Sequence, residues 1–327
     1  MSLIDLPIEL QKRIGIELPD IASVHSLCGA SRVLYQGLRD DELIYREQFL
    51  QLYDPPKEPP LSWKALYISR HHGLRSQNTE EFGPVALDMI RDAVGPSPPN
   101  LPHLLKRQDL VVREISNSKA FSEVQLLLAP LTELDELSDA ELEFEEQEFG
   151  ILNGSQWDGA LTISANEVLW LTFIARRTVE FIKDQAEYFN PPFTWEQTVK
   201  PSLWKSPSRL EEVEVDEMPT KWLSCYLYGT TTVLSGDRSL ATVDLTIEGN
   251  AFSGKGQDIQ AFEMIHGKVS DPLNFGGIGG WRRVSWIKNY GGFSWDYHGV
   301  MFPGCRVIVG TWGRFSNTGG GFMLWAL

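Results

Sequence analysis

The hydrophobic period of this chain changes after Pro219, and that change restricts the fold more than any other feature of the sequence. Downstream, Val243, Leu245 and Ile247 alternate with Thr242, Asp244 and Thr246. Similar alternation runs through Arg283 to Tyr290, Phe293 to Val300, Cys305 to Trp312 and Phe322 to Ala326. A period of two sends successive side chains to opposite faces, so each run reads as a strand with one buried face. Glu248-Gly249-Asn250, Gly291-Gly292, Pro303-Gly304 and Gly319-Gly320-Gly321 supply the turns between them. Six to eight short strands joined this tightly predict an antiparallel barrel or sandwich over residues 216–327.

Upstream the period is helical, which makes the chain α+β. Ser164-Ala165-Asn166-Glu167 is a capping box and predicts a helix to about Tyr188, with Val168, Leu171, Ala175, Val179 and Ile182 on one face. Helical spacing also runs from Leu104 to Leu131. Trp63 to Arg70 predicts a further helix after the stiff connector Asp54-Pro55-Pro56-Lys57-Glu58-Pro59-Pro60. Residues 71–103 are rich in Gly, Pro, Asn and charge and read mostly as loop, broken at Pro96-Ser97-Pro98-Pro99. Glu133 to Glu148 packs nine acids into sixteen residues and reads as a solvated segment, since it lacks the glycine and alternating ligands of a calcium loop. The expected division is a helical domain over 1–50, a helical middle region over 51–215 and a β-domain over 216–327.

With 42% hydrophobic residues in 327, the chain can build more than one core. Forty-four acidic against 29 basic residues leave a net charge of −15, which repels phosphate backbones and argues against a nucleic-acid partner. Asp5, Glu9, Lys12 and Arg13 interrupt any secretory signal, and the longest apolar run, Val168 to Ala175, is too short to span a bilayer. A soluble protein of the cytoplasm or nucleus, without a membrane partner, is expected. Cys28, Cys225 and Cys305 contain no Cys-x-x-Cys pair, so neither a disulfide framework nor a zinc site is predicted. Asn153-Gly154-Ser155 reads as an ordinary turn.

The N-terminus opens with Leu6-Pro7-Ile8-Glu9-Leu10. Three short helices are predicted: one from Pro7 with Leu10, Ile14 and Leu18 on a face, one using Val24, Leu27 and Leu34, and one using Leu38, Leu43 and Tyr45. A unit of fewer than about 50 residues buries too little area to hide all of these, which leaves apolar surface for a partner. Together with the following Trp63-Lys64-Ala65-Leu66-Tyr67, the pattern resembles an F-box over residues 3–50. The resemblance implies docking on a Skp-type adaptor of a cullin-RING ubiquitin ligase through Leu6, Pro7, Ile8, Leu10, Ile14, Leu18, Leu27, Leu34, Leu38, Leu43 and Tyr45. Two stretches depart from the family: Gly29-Ala30-Ser31-Arg32-Val33-Leu34 replaces an Arg-Trp-Arg or similar cluster, and Ile44-Tyr45 stands where many members have Leu-Trp. The other reading is an ordinary helical hairpin opening a globular domain.

No catalytic constellation emerges. Gly276-Gly277-Ile278-Gly279-Gly280 lacks dinucleotide-loop spacing and reads as a hairpin. His71-His72 sit in a predicted polar loop, the other histidines lack metal-ligand spacing, and no Gly-x-Ser-x-Gly elbow occurs. No cofactor or metal is expected. From Gly249 onward, seven Lys and Arg face four Asp and Glu, so the β-region is locally basic on an acidic chain. It also holds Trp281, Trp286, Trp295, Trp312 and Trp325. Alternation places Val284, Trp286, Lys288 and Tyr290 on one side of a strand and Phe293, Trp295, Tyr297 and Gly299 on one side of the next. Arg282, Arg283, Trp286, Lys288, Trp295, Tyr297 and Arg306 are the candidate contacts for a target protein or degron peptide, since rings beside cations suit an acidic segment. The plainer reading makes the tryptophans core and the charges a solvated exterior. The closing strands resemble small up-and-down barrels of the lipocalin and avidin type, and also the C-terminal domain of some F-box substrate receptors. Two functions follow: a non-catalytic substrate receptor of an SCF-type ligase, or a barrel binding a small hydrophobic ligand or sugar.

Overall fold

Short polar caps set the helix boundaries near the N-terminus. In the computed structural model, which describes residues 3–93, 99–107, 119–131, 163, 165–185, 213–228, 235–236, 240–275, 278–314 and 317–327, the chain divides into two compact units, Met1–Leu104 and Leu105–Leu327. This division differs from the expected boundaries near residues 50 and 215. Acidic Glu133 to Glu148, Asn153-Gly154-Ser155, Ser164, the predicted helix end at Tyr188 and most of the Pro96 to Pro99 break lie outside the described residues.

The first unit opens with α1 (Ile8–Glu17), preceded by Pro7, whose carbonyl accepts from the Leu10 and Gln11 amides at 3.0 and 3.1 Å. Leu18 ends α1 in extended backbone because the residue before Pro19 is driven out of the α region. Four helices follow one another here, not three. α2 (Ile21–Gly29) is capped by Asp20, α3 (Arg32–Leu38) by Ser31 and α4 (Glu42–Leu52) by Asp41, each side chain accepting from the first-turn amides. Leu34 and Leu38 therefore share α3. Residues 71–103, expected as loop, are mostly helical: α5 (Trp63–Arg75) carries His71-His72, and α6 (Thr79–Asp92) and α7 (Asn100–Leu105) follow. α6 forms despite Pro84 because Asn78 caps it and Phe82, Ala86, Leu87, Met89 and Ile90 make a buried face.

A polar brace fastens the connector to these helices. Asn100 accepts from the Asp54 amide at 3.1 Å, donates its own amide to Asp54 Oδ2 at 2.9 Å and donates Nδ2 to the Met89 carbonyl at 2.7 Å. Arg70, only 2% exposed, pairs with Asp92 and lies over the Phe49 ring at 4.7 Å. Asp92 Oδ1 also accepts from the Lys57 amide at 3.0 Å.

Among its described residues the second unit holds α8 (Lys119–Leu128), α9 (Ala165–Gln185) and ten strands: β1 (Lys221–Tyr228), β2 (Ser235–Gly236), β3 (Ala241–Glu248), β4 (Ala251–Gln257), β5 (Ala261–Val269), β6 (Leu273–Phe275), β7 (Ile278–Asn289), β8 (Ser294–Met301), β9 (Val307–Arg314) and β10 (Asn317–Ala326). Eight of them pair in the order β1-β3-β4-β5-β7-β8-β9-β10, all antiparallel, and β10 returns to β1 with Trp222 opposite Ala326 and Tyr226 opposite Phe322. The sheet is a closed up-and-down barrel, with β2 and β6 as short additions on β1 and β7. Interior positions fill a continuous core of Trp222, Val243, Phe252, Met264, Val284, Trp286, Met301, Ile308, Phe322 and Leu324, into which Val215 and Met218 pack ahead of β1. Glycines make room for these rings: a Cβ on Gly256 would stand 2.2 Å from Phe262. β3 alternates buried and exposed along its length, whereas β1 and β9 are buried on both faces because α9 packs over β1, β9 and β10. The α9 face formed by Val168, Leu171, Ala175, Val179 and Ile182 is buried as predicted.

Candidate functional site

The two ends of the barrel interior differ. At one end Arg282 points inward from β7 and donates Nη1 to the Ser270 carbonyl at 3.1 Å and Nη2 to the Val213 carbonyl at 3.2 Å, which closes that end. At the other end the interior opens into a pocket of about 400 Å³. Tyr226 and Tyr228 of β1 form one wall, the β4–β5 turn Asp258-Ile259-Gln260 a second, and Tyr290 with Phe293 at the β7–β8 turn a third. Trp295 and Tyr297 of β8 and Trp312 of β9 complete the enclosure, and Lys288 reaches it from below.

Lys288 is the centre of this arrangement. Its side chain is 1% exposed, and its Nζ lies 3.8 Å from the Tyr226 ring centroid, 4.0 Å from Phe262, 5.1 Å from Tyr290 and 6.0 Å from Tyr297. Ring faces carry negative quadrupole density, so four of them around an ammonium offset much of its lost hydration. The countercharge is Asp258, whose Oδ2 accepts from Lys288 Nζ at 2.7 Å and from the Tyr290 hydroxyl at 2.5 Å, while Oδ1 accepts from the Gln260 amide at 2.9 Å. Burial alone pushes the Asp258 carboxyl upward, but the three donors, Lys288 foremost, hold it below the usual carboxylate range. Tyr297 is fully enclosed, and burial drives its phenol well above the usual value.

The rings also order one another. Trp286 and Tyr297 stack at 5.0 Å, Trp295 meets Trp312 edge-on at 5.1 Å, and Tyr290 stacks on Phe293 at 4.7 Å. Trp312 donates Nε1 to the Leu227 and Gly321 carbonyls at 3.1 and 3.2 Å, which fixes its plane in the wall. The walls are therefore rigid, aromatic and internally satisfied.

Of the predicted target contacts, the fold brings Lys288, Trp295 and Tyr297 into one pocket and sets Trp286, 3% exposed, in the core beneath them. The inward sets Val284, Trp286, Lys288, Tyr290 and Trp295, Tyr297, Gly299 follow the predicted alternation. The arginines do not join them. Arg282 is 2% exposed at the opposite end, Arg283 points outward with Nη1 2.8 Å from Glu167 of α9, and Arg306 is half-buried just before β9. Arg282 and Arg283 are thus spent on internal partners, away from the pocket. Trp281 also faces outward and donates to Glu123 of α8 at 2.8 Å. Asp258 and Tyr228 escaped sequence reasoning. An inward lysine between aromatic alternates was the available signal that some carboxylate must face it.

In the helical unit, Leu34, Leu38 and Tyr45 are 2%, 0% and 1% exposed, so these three predicted adaptor contacts are core residues. Tyr45 instead packs edge-on against Tyr67 at 5.9 Å and bonds His25 through its hydroxyl at 3.0 Å. Leu6, Ile14, Leu18 and Leu27 are half-buried, and Pro7, Ile8, Leu10 and Leu43 are exposed. Val33 and Tyr35 of α3 are exposed as well.

Among the described residues no three His, Cys, Asp or Glu side chains stand together to hold a metal ion, and no helix is long and apolar enough to cross a membrane. No protein-family profile matches the chain, and neither curated proteins nor solved structures give a significant match.

Proposed function

We propose that the chain is a non-catalytic substrate receptor: its first unit docks on a Skp-type adaptor of a cullin-RING ubiquitin ligase, and its barrel captures the target protein. The observation that carries this reading is the apolar surface left by a folded helical unit. Ile8 and Leu10 of α1, Val33 and Tyr35 of α3 and Leu43 of α4 are 39–52% exposed beside a complete core. Large apolar side chains left in water on neighbouring short helices suit a protein partner. Ile8 and Leu10 belong to the Leu-Pro opening on which the F-box resemblance rests.

Co-expression with a Skp-type adaptor tests the reading. The expected result is a co-eluting complex with the wild-type chain and none with Leu10→Asp combined with Leu43→Asp, both variants retaining the helical circular dichroism of the parent. Because both side chains are exposed, their loss leaves the core intact. Failure of the wild-type chain to co-elute would remove this reading.

A second reading rests on the barrel alone. A rigid, largely apolar pocket of about 400 Å³ falls in the size range of small-ligand sites, which favours a hydrophobic ligand or a sugar.

A further inference from the structure

We propose that the barrel mouth is a socket for an uncharged aromatic side chain, tryptophan or tyrosine, presented by a partner polypeptide. The proposal deepens the receptor reading by naming what the barrel would take, and it rests on that reading for the identity of the partner as a target.

The pocket's own charges select against an ionic ligand. A cationic group that reaches the floor meets the Lys288 ammonium there, and the Asp258 carboxylate beside it is already taken by Lys288, Tyr290 and the Gln260 amide. An anionic group finds the Lys288 ammonium already paired with Asp258, and the remaining walls of aromatic carbon return little of its lost hydration. A neutral ring suffers neither penalty. It finds faces and edges on Trp295, Trp312 and Tyr228, whose T-shaped contacts at 5.1 and 5.3 Å leave quadrupoles oriented for another ring.

Volume sets the ligand's size. A cavity of roughly 150 Å³ suffices for benzene, so about 400 Å³ accepts an indole or phenol together with the atoms that carry it. The rim decides the ligand's source. Tyr228, Ile259 and Phe293 are 41%, 78% and 45% exposed, and they line the pocket from three different elements. A free aromatic compound filling the pocket would leave that rim in water. A polypeptide whose side chain enters the pocket lays its backbone and neighbouring residues across the rim and covers it.

The test uses the full chain, with the adaptor if the two co-purify, titrated calorimetrically with blocked pentapeptides of sequence Gly-Ser-X-Ser-Gly. The expected order is X = Trp and Tyr binding, with X = Ala, Lys and Asp silent at the same concentrations. Phe293→Ala and Ile259→Ser, at exposed rim positions, should each weaken the Trp peptide about threefold to tenfold more than they weaken N-acetyltryptophanamide. Equal affinity for the peptide and the free amide, with no effect of the rim variants, would overturn the polypeptide source. Preference for the Lys or Asp peptide would overturn the neutral-ring assignment, and so would silence of every aromatic probe. Adaptor co-elution is scored separately. A Trp peptide that binds a chain unable to co-elute with the adaptor sinks the receptor reading and leaves the socket standing.

Discussion

Asp258 is a buried carboxylate with a buried countercharge. Replacing it with Asn leaves the Lys288 ammonium among four rings without a countercharge, and removing one member of a buried pair typically costs about 3–5 kcal/mol. Asp258→Asn should lower unfolding free energy by that order in urea titrations, whereas Lys288→Met with Asp258→Asn should recover most of it because both charges leave together. The same carboxylate carries a pH dependence of known sign. Its value is depressed in the folded state, so its contribution is present above the unfolded carboxylate value of about 3.9 and is lost as pH falls through the lower folded value. Thermal scans between pH 5 and acid should show the wild type losing stability below about pH 4 more steeply than the double variant. Lys288 was legible as an inward residue from its place between Trp286 and Tyr290. Its electrostatic role was not, because counting charges along the chain treats every cation as facing water. Arg282 and Arg283 misled for the same reason: their partners are the Ser270 and Val213 carbonyls and Glu167, distant in sequence and joined to them only by the fold.

At the scale of elements, Asn100 is where one side chain holds several segments. It joins the post-α4 connector to α6 and to the start of α7 through three hydrogen bonds, and it is fully buried. Asn100→Ala strands the Asp54 amide and the Met89 carbonyl, and the expected loss is about 2–4 kcal/mol in chemical denaturation, with hydrogen exchange accelerating first in α6 and α7. Leu38→Ala, in contrast, should cost about 2–5 kcal/mol through a cavity while sparing adaptor capture, since Leu38 is wholly inside. Loss of capture by a folded Leu38→Ala protein would show that the docking face is shaped by the α3 core. α6 was hidden in the sequence because Pro84 and the polar residues around it outweigh its apolar spacing when read locally. β4 was hidden too, since Ser253, Gly254, Lys255 and Gly256 have little strand propensity of their own and become a strand because β3 and β5 pair with both edges. β3, β8 and β9 were readable to within two residues, whereas β7 and β10 begin five residues before the runs that marked them, and Gly320 and Gly321, read as a turn, pair with β9.

For the whole molecule, the barrel depends on the helices before it. α9 covers the outer faces of β1, β9 and β10, and α8 receives Trp281, so residues 213–327 alone would expose side chains that are buried in the unit. A fragment of residues 213–327 should bind a hydrophobic dye and precipitate, while 105–327 stays monomeric with a sharp thermal transition; equal behaviour of the two would show that the helices are dispensable. The period change at Pro219 told where strands begin. It did not show that preceding helices belong to the same unit, because a strand buried on both faces reads as a plain apolar run and names no cover. The pairing of Tyr226 with Phe322 carries one more consequence, in time instead of energy. At roughly 5–20 residues per second, β1 leaves the ribosome on the order of ten seconds before β10. Through that interval its edge is open and apolar, a template for any strand from another nascent chain. Slowing translation between β1 and β10 should therefore lower soluble yield, and supplying a chaperone that shields extended segments should restore it.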